Sequence, residues 1–228
     1  TNSAAYVLYE DRTDDKTLSV NSVFTKEISD NILVNGGVNY RRLKSENFAE
    51  VIDLLGSNVG ISNVDAFSQK DFNLFNPGQV ANEGEKFRYN YNLYADEIGG
   101  FAQAQFKYNK VDFFVAGSVT KTEYQREGLY KNENQVFDVK DAEGNVIGQL
   151  DNSSGKGDKL DFTGFGAKGG FTYKITGKHL IDVNGAYVQQ APNLRNTYTN
   201  ARESQDYIGI TQGENFPGIQ LTEEKIKS

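Results

Sequence analysis

The sequence predicts an all-β fold built from antiparallel hairpins, and three observations support this prediction. Apolar and polar residues alternate over long stretches such as Ile98–Tyr108, which is the pattern of a strand whose two faces meet different surroundings. Pairs of such stretches are joined by short polar turns, whereas the connections between pairs are long. The chain also has 23 Gly, 13 Tyr and 15 Phe but only 3 Pro, a composition that suits strands.

The alternation predicts three hairpins and the start of a seventh strand. The hairpins are expected near residues 16–44, 97–125 and 160–190, and the seventh strand near residues 221–228. Their turns are the polar segments Ser29–Asn31, Asn109–Lys110 and Thr176–Lys178. Each predicted strand has about ten residues, the length that a strand tilted by about 45° needs to cross a bilayer.

Long connections separate the hairpins, and they are expected near residues 1–15, 45–96, 126–159 and 191–220. Val51–Leu55 are expected to form a helical turn, and Val136–Lys140 and Val146–Leu150 a small hairpin. Structureless loops much longer than about 12–15 residues are uncommon in compact soluble domains. Outer-membrane barrels, in contrast, combine long extracellular loops with short periplasmic turns.

Hydropathy and tyrosine placement favour the same interpretation. The mean hydropathy is −0.60, and nowhere do some 18 apolar residues run together, so only strands could cross a bilayer. Tyr108 and Tyr173 lie beside tight turns, and Tyr40 and Tyr187 toward the long connections, as at two membrane–water boundaries. The expected fold is therefore part of one antiparallel transmembrane β-barrel domain, covering residues 1–228, with about six strands and the start of a seventh.

Two groups of candidate site residues follow from this prediction. Polar side chains on one face of the strands are expected to line the lumen of the barrel: Asn35, Asn39, Arg41, Gln103, Gln105 and Lys107. The segment YQREGLY (124–130) places Tyr124, Arg126 and Tyr130 at the top of a strand. Aromatic rings and a guanidinium at a barrel mouth could bind a sugar, peptide or siderophore. The same three side chains could equally brace the loop.

Several other functions are disfavoured. The net charge of −7 argues against nucleic acid as a partner. With no Cys and a single His, His179, the chain offers no thiolate or histidine cluster, and neither a metal site nor a cofactor is expected. The segment GFGAKG (164–169) matches the dinucleotide-binding pattern in letters, but it leads into a β-rich run and not a helix. Strand glycines that allow close backbone approach explain it better.

Three stretches carry a resemblance to a known family. They are NGGVNYRRLKSENFAEVIDLLG (35–56), GFAQAQFKYNKVDFFVAGSVTKTEYQREGLY (100–130) and FGAKGGFTYKITGKHLIDVNGAYVQQAPNLRNTYTNARE (165–203). In these stretches the chain resembles the barrel portion of TonB-dependent outer-membrane receptors, especially those with a carboxypeptidase-regulatory-like N-terminal domain.

The resemblance implies a 22-stranded barrel closed by an N-terminal plug. It also implies energy-coupled uptake of a scarce nutrient ligand, with TonB acting through the plug and a surface lipoprotein as a further partner. The plug is not found in this sequence, and so few strands cannot close even the smallest barrels of about eight strands. The chain is therefore expected to be an internal segment of the barrel.

Three functional hypotheses are open at this point. The first is a transporter in the outer membrane, whose polar strand faces line the lumen and whose long loops capture ligand. The second is an all-β cell-surface binding or adhesion protein that displays the same loops on a soluble domain. The third, a loop-borne hydrolase, lacks a paired nucleophile and base, so no catalytic activity is expected. Dependence on detergent would distinguish the first two.

Overall fold

The fold, taken from a computed structural model that describes residues 4, 6–63, 69–206 and 224–227, is all-β and antiparallel. The strands are β1 (Leu8–Ser29), β2 (Ile32–Asp53), β3 (Lys86–Lys107), β4 (Val111–Gly128), β5 (Val136–Lys140), β6 (Val146–Asp151), β7 (Gly155–Lys156), β8 (Leu160–Thr176), β9 (His179–Gln190) and β10 (Glu224–Lys227). Short 3₁₀ turns occupy Glu133–Gln135 and Leu194–Asn196. Among the described residues, no helix is long and apolar enough to cross a membrane.

The main sheet is an open antiparallel meander. Its strand order is β1-β2-β3-β4-β8-β9-β10, with the short strand β7 also paired to β4. Strands β1 and β10 form the two edges of the sheet in the described part of the chain. The three predicted hairpins are confirmed, and β10 lies where the seventh strand was expected, paired antiparallel to β9.

The register keeps each strand face continuous across the sheet. Val20 pairs with Tyr40, Tyr40 with Ile98, and Ile98 with Lys121. Because residues paired across neighbouring strands point to the same side, the alternation predicted within each strand extends across all of them. We call the side that bears Tyr40 and Ile98 the apolar face and the side that bears Asn39 the polar face.

The strands are longer than expected at their long-connection ends. Strand β1 begins at Leu8, inside the loop predicted for residues 1–15, and the loop predicted for 45–96 is shortened by β2 and β3 to residues 54–85. In these extensions the apolar side chains change face: Phe87, Tyr89 and Tyr91 of β3 lie on the side that bears Asn39, whereas charged residues such as Arg12 and Glu50 lie on the side that bears Tyr40. Ion pairs such as Arg12 Nη1 to Glu50 Oε2, at 2.9 Å, join β1 to β2 there.

The helical turn predicted for Val51–Leu55 is wrong. Val51 to Asp53 form the end of β2, and Val51 pairs with Tyr9 of β1. Leu55 and Gly56 then turn the chain with positive φ angles. β-Branched residues such as Val51 favour strands, and the neighbouring strand gave this segment a partner that a local pattern does not reveal.

Two smaller predictions are confirmed. Strands β5 and β6 form a separate two-stranded sheet around the turn at residues 141–145, where Gly144 adopts a φ of +88°. The segment Gly164–Gly169 lies within β8 and not at the start of a helix. Of the predicted connection at 191–220, residues 207–220 lie outside the described residues.

The buried core sits on the polar face, at the end of the sheet where the long connections lie. One cluster contains Ala49, Val51, Leu54, Phe72, Ala81, Phe87, Tyr89 and Tyr91. A second contains Tyr124, Leu160, Phe162 and Tyr198. Both clusters combine strand residues with residues of the connections, so the described parts of the connections, 54–63, 69–85 and 191–206, pack over the polar face.

Candidate functional site

The apolar face carries a broad band of exposed apolar side chains near the tight turns. Its large members are Leu18, Val20, Phe24, Val38, Ile98, Phe113, Val115, Val119, Phe165, Phe171, Tyr173, Ile181 and Val183. Val38 is 63% exposed and Ile98 is 58% exposed, although both lie in strands that are paired on both sides. Soluble monomers rarely leave a contiguous apolar surface of this kind open to water. We call this surface the apolar band.

A row of ion pairs borders the apolar band on the side of the long connections. The pairs are Arg42 with Asp96 at 2.6 Å, Lys159 with Glu123 at 2.7 Å and Lys121 with Asp161 at 3.3 Å. Tyr40, at the edge of the band, donates from its hydroxyl to Asp96 Oδ1 over 3.2 Å. The transition from apolar to charged surface therefore occurs at one level across β2, β3, β4 and β8.

The six residues predicted to line a lumen all lie on the polar face. Asn35 is paired in register with Gln103, and Arg41 with Glu97. Gln103, Gln105 and Lys107 also line a cavity of about 360 Å³ near the tight turns, together with Asp112, Lys168 and Asp182. The structure thus places the six residues on one side of the sheet; that this side faces a lumen stays a prediction.

The second predicted group does not form an exposed cluster. Arg126 is only 2% exposed. Its Nε donates to the backbone carbonyl of Ala201 over 2.7 Å, and its Nη1 donates to that of Ser153 over 2.8 Å. The hydroxyl of Tyr130 donates to the carbonyl of Lys86 over 3.1 Å. These contacts brace the loops, which is one of the two roles expected from the sequence; that the three side chains bind a ligand stays a prediction.

The surroundings of Arg126 explain how a buried cation is tolerated there. Burial lowers the pKa of the guanidinium to about 10, and the rings of Tyr91 and Tyr198 lie near enough to oppose that shift. The guanidinium carbon lies 5.0 Å from the centre of the Tyr91 ring, within the range of a cation–π contact. Two carbonyl oxygens and an aromatic face therefore replace the water that the charge loses.

A cleft on the polar face is the arrangement that best fits a small ligand. It has a volume of about 450 Å³ and lies between the strands and residues Gln190–Leu194, which we call the shelf. The hydroxyl of Tyr124 donates to the carbonyl of Pro192 over 3.0 Å and so fixes the shelf against β4. A second cavity of about 360 Å³ adjoins the cleft and shares Glu97, Thr122, Tyr124, Gln190 and Ala191 with it.

Sequence reasoning identified only part of this cleft. Arg41 was predicted as a lumen-facing residue and Tyr124 as a ligand group, and both are among the lining residues. Glu97 and Thr122 were not singled out, although alternation places them on the same face as Gln103 and Ser118. The shelf could not be found from local patterns, because it reaches β4 only through the fold.

The chemistry of the cleft lining suits the binding of a small molecule and not the coordination of a metal ion. In the part of the chain that the structure describes, no three His, Cys, Asp or Glu side chains are close enough together to hold a metal ion. The polar lining instead combines a guanidinium, a carboxylate, hydroxyls and amides, which suits recognition by hydrogen bonds and charge.

Comparisons of the chain with known protein families, with curated proteins and with solved structures found no match.

Proposed function

We propose that this chain is a segment of an outer-membrane β-barrel that takes up a scarce ligand, in the manner of the TonB-dependent receptors it resembles. The observation that carries the proposal is the apolar band, an exposed apolar surface on one face of a sheet whose other face is mainly polar near the tight turns, with Val23, Phe101 and Leu180 as its exposed apolar exceptions. In a bilayer this surface would meet acyl chains in place of water, which removes the cost of exposing it.

The dimensions of the apolar band support a membrane-spanning role. On β2 it runs from Ile32 to Tyr40 and on β8 from Phe165 to Tyr173, close to the 9–11 residues or so that a tilted transmembrane strand needs. The row of ion pairs that includes Arg42–Asp96 then lies at the level of the lipid headgroups. Tyr40 is at this boundary, where tyrosine is favoured because its ring is apolar and its hydroxyl polar.

The open edges of the sheet support a larger barrel. Strand β1 is 22 residues long and has a neighbour on one side only in the described sheet. Unpaired backbone N–H and C=O groups cost several kcal/mol each in a lipid environment, so a membrane sheet has to close. Further strands from the same polypeptide, as the resemblance implies, would pair with β1 and β10.

The polar face and the connections suggest how ligand would enter. With the apolar band in the membrane, the polar face lines the lumen, and the described parts of the connections, 54–63, 69–85 and 191–206, fold over it on the extracellular side. Ligand would be captured among these connections and imported with energy from TonB, acting through a plug outside this chain. A surface lipoprotein would assist capture.

A pair of adjacent residues tests which face meets lipid. Ala104 and Gln103 are neighbours in β3 on opposite faces, and both pair with residues of β2. Arginine on the lipid face at mid-bilayer costs about 2–4 kcal/mol, whereas arginine in a wet lumen is tolerated. We therefore expect Ala104→Arg to impair barrel assembly and Gln103→Arg to leave it intact, as followed by heat-modifiable migration of the full-length protein in gels. Equal tolerance of the two substitutions would rule out the facing assignment.

A second measurement distinguishes the transporter from an all-β adhesion or binding protein. A soluble domain has to remain folded and monomeric in buffer without detergent. We expect the full-length protein to aggregate when detergent is removed, because the apolar band is then exposed to water. A monomeric, folded protein under those conditions would exclude the membrane role.

A further inference from the structure

The cleft beneath the shelf holds two opposite charges that do not neutralise each other. We propose that it binds a small zwitterion of the amino-acid type, whose carboxylate is held by Arg41 and whose ammonium group is held by Glu97. Import of this ligand rests on the proposed function, whereas its binding to the cleft does not.

The geometry of Arg41 and Glu97 provides the first argument. The two residues pair in register on β2 and β3, and both side chains lie on the polar face. Among the described residues, the Arg41 guanidinium has no hydrogen-bond or ion-pair partner. Asn39 Nδ2 donates to Glu97 Oε1 over 3.2 Å, which orients the carboxylate and leaves Oε2 for a ligand. A zwitterion would give the Arg41 guanidinium an anionic partner and Glu97 Oε2 a cationic partner at the same time.

The remaining walls of the cleft provide the second argument. Leu43, Ala95 and Leu194 give it an apolar side, and Thr122 gives it a hydroxyl. A volume of about 450 Å³ accommodates an amino acid or a short peptide with an apolar side chain. Apolar walls with a few converging polar groups are typical of small-molecule sites, in which the polar groups fix orientation.

Other classes of ligand fit the lining less well. Sugars are commonly bound against an exposed aromatic ring, but Tyr124 is 8% exposed and its hydroxyl is engaged by Pro192. A phosphate or another simple anion would meet Arg41 favourably but would be repelled by Glu97 beside it. A simple cation would be attracted by Glu97 but repelled by Arg41. A ligand that carries both charges avoids each of these penalties.

Ligand variation on the unaltered protein tests the proposal without any substitution. Titration calorimetry of the intact membrane protein in detergent would compare leucine with leucinamide, N-acetylleucine and maltose. We expect leucine to bind, and leucinamide and N-acetylleucine to bind at least about tenfold more weakly, because each lacks one charge. Binding of maltose that equals that of leucine, or leucine binding no tighter than its two blocked forms, would overturn the proposal.

Substitutions then assign each charge to its partner. In Arg41→Gln, leucine and leucinamide should bind with equal affinity, because the carboxylate has lost its partner. In Glu97→Gln, leucine and N-acetylleucine should bind equally. Arg42→Gln is the matched control, since Arg42 is the next residue of β2 but lies on the apolar face with Asp96. The same loss of discrimination in Arg42→Gln would contradict the assignment.

Uptake into vesicles separates this proposal from the proposed function. Binding of leucine with the expected discrimination but without TonB-dependent uptake would retain the site and reject the transporter. Unaltered TonB-dependent uptake of leucine by both Arg41→Gln and Glu97→Gln would retain the transporter and reject the site. If either variant fails to assemble, the ligand series on the unaltered protein decides the question.

Discussion

Arg126 Nε donates to the backbone carbonyl of Ala201 over 2.7 Å and thereby joins positions 75 residues apart in the sequence. The same guanidinium donates through Nη1 to Ser153, which lies in the connection between β6 and β7. A single buried cation on β4 therefore holds two separate connections in place over the polar face.

Replacing this cation should release both connections. Arg126→Met keeps much of the apolar volume but leaves the carbonyls of Ser153 and Ala201 without their donors. Each buried polar group left unsatisfied costs about 1–3 kcal/mol. We expect amide hydrogen exchange in residues 152–157 and 198–205 to accelerate by about a hundredfold, given that 1.4 kcal/mol corresponds to about a factor of ten.

The control for this substitution is Arg42→Met. Arg42 is also an arginine paired with an acceptor on the neighbouring strand, but its side chain is 60% exposed. Exposed ion pairs contribute little to stability, so exchange in the same two segments should remain unchanged. Similar acceleration in both variants would show that Arg126 is not a specific brace.

Asp151 should make the segment that reaches Arg126 sensitive to acid. Burial of this carboxyl raises its pKa, but hydrogen bonds from the hydroxyls and backbone N–H groups of Ser154 and Ser153 outweigh that effect, and the pKa is lowered. A carboxyl with a lowered folded-state pKa stabilises the fold above its ordinary pKa of about 3.9 and loses this contribution as pH falls through the lower value. The segment 151–156 should therefore loosen below about pH 4.

A spin label can follow this transition, since the chain has no Cys of its own. With the label on Lys156→Cys, we expect slow motion at neutral pH and faster motion as pH falls below about 4. In Asp151→Asn, the label should move faster at neutral pH and lose its dependence on pH, because an amide has one acceptor oxygen and no charge, whereas both carboxylate oxygens accept from Ser153 and Ser154. A label whose motion does not depend on pH in the unaltered sequence would contradict this role of Asp151.

Two strand glycines should differ sharply in their tolerance of alanine. A Cβ atom on Gly164 would lie 2.7 Å from the carbonyl oxygen of Gln189 and 3.2 Å from the Cα atom of Gln190, so backbone would have to move. The nearest atom to a Cβ on Gly117 is 3.8 Å away. We expect Gly164→Ala to lower the free energy of unfolding by about 1–3 kcal/mol and Gly117→Ala to cause no loss. Urea unfolding in lipid vesicles would measure both, and equal effects would contradict the close approach.

The faces of the sheet could be predicted from the sequence because they depend on alternation alone. Asn35 and Gln103 were assigned to one face from their own strands, and the register pairs them directly. The ends of the strands could not be predicted in the same way. Arg12 and Glu50 extend β1 and β2 through backbone pairing and an ion pair, and neither produces an apolar pattern.

Only part of the candidate cleft could be predicted from the sequence, because its remaining residues are brought together by contacts between distant segments. Arg41 follows from alternation, but its partner Glu97 requires the register between β2 and β3. The shelf requires a contact between Tyr124 and Pro192, which are 68 residues apart. The sequence left open whether Arg126 binds a ligand or braces a loop. Its burial depends on connections whose sequences have no regular apolar pattern.

The length of β2 determines what an approaching molecule meets first. The strand has 22 residues, but the apolar band ends on it at Tyr40. At about 3.3 Å per residue, the remainder is on the order of 40 Å long. Under the proposed placement, this wall and its charged side chains stand above the lipid headgroups, so an antibody or a bacteriophage could attach to the protein without touching the bilayer.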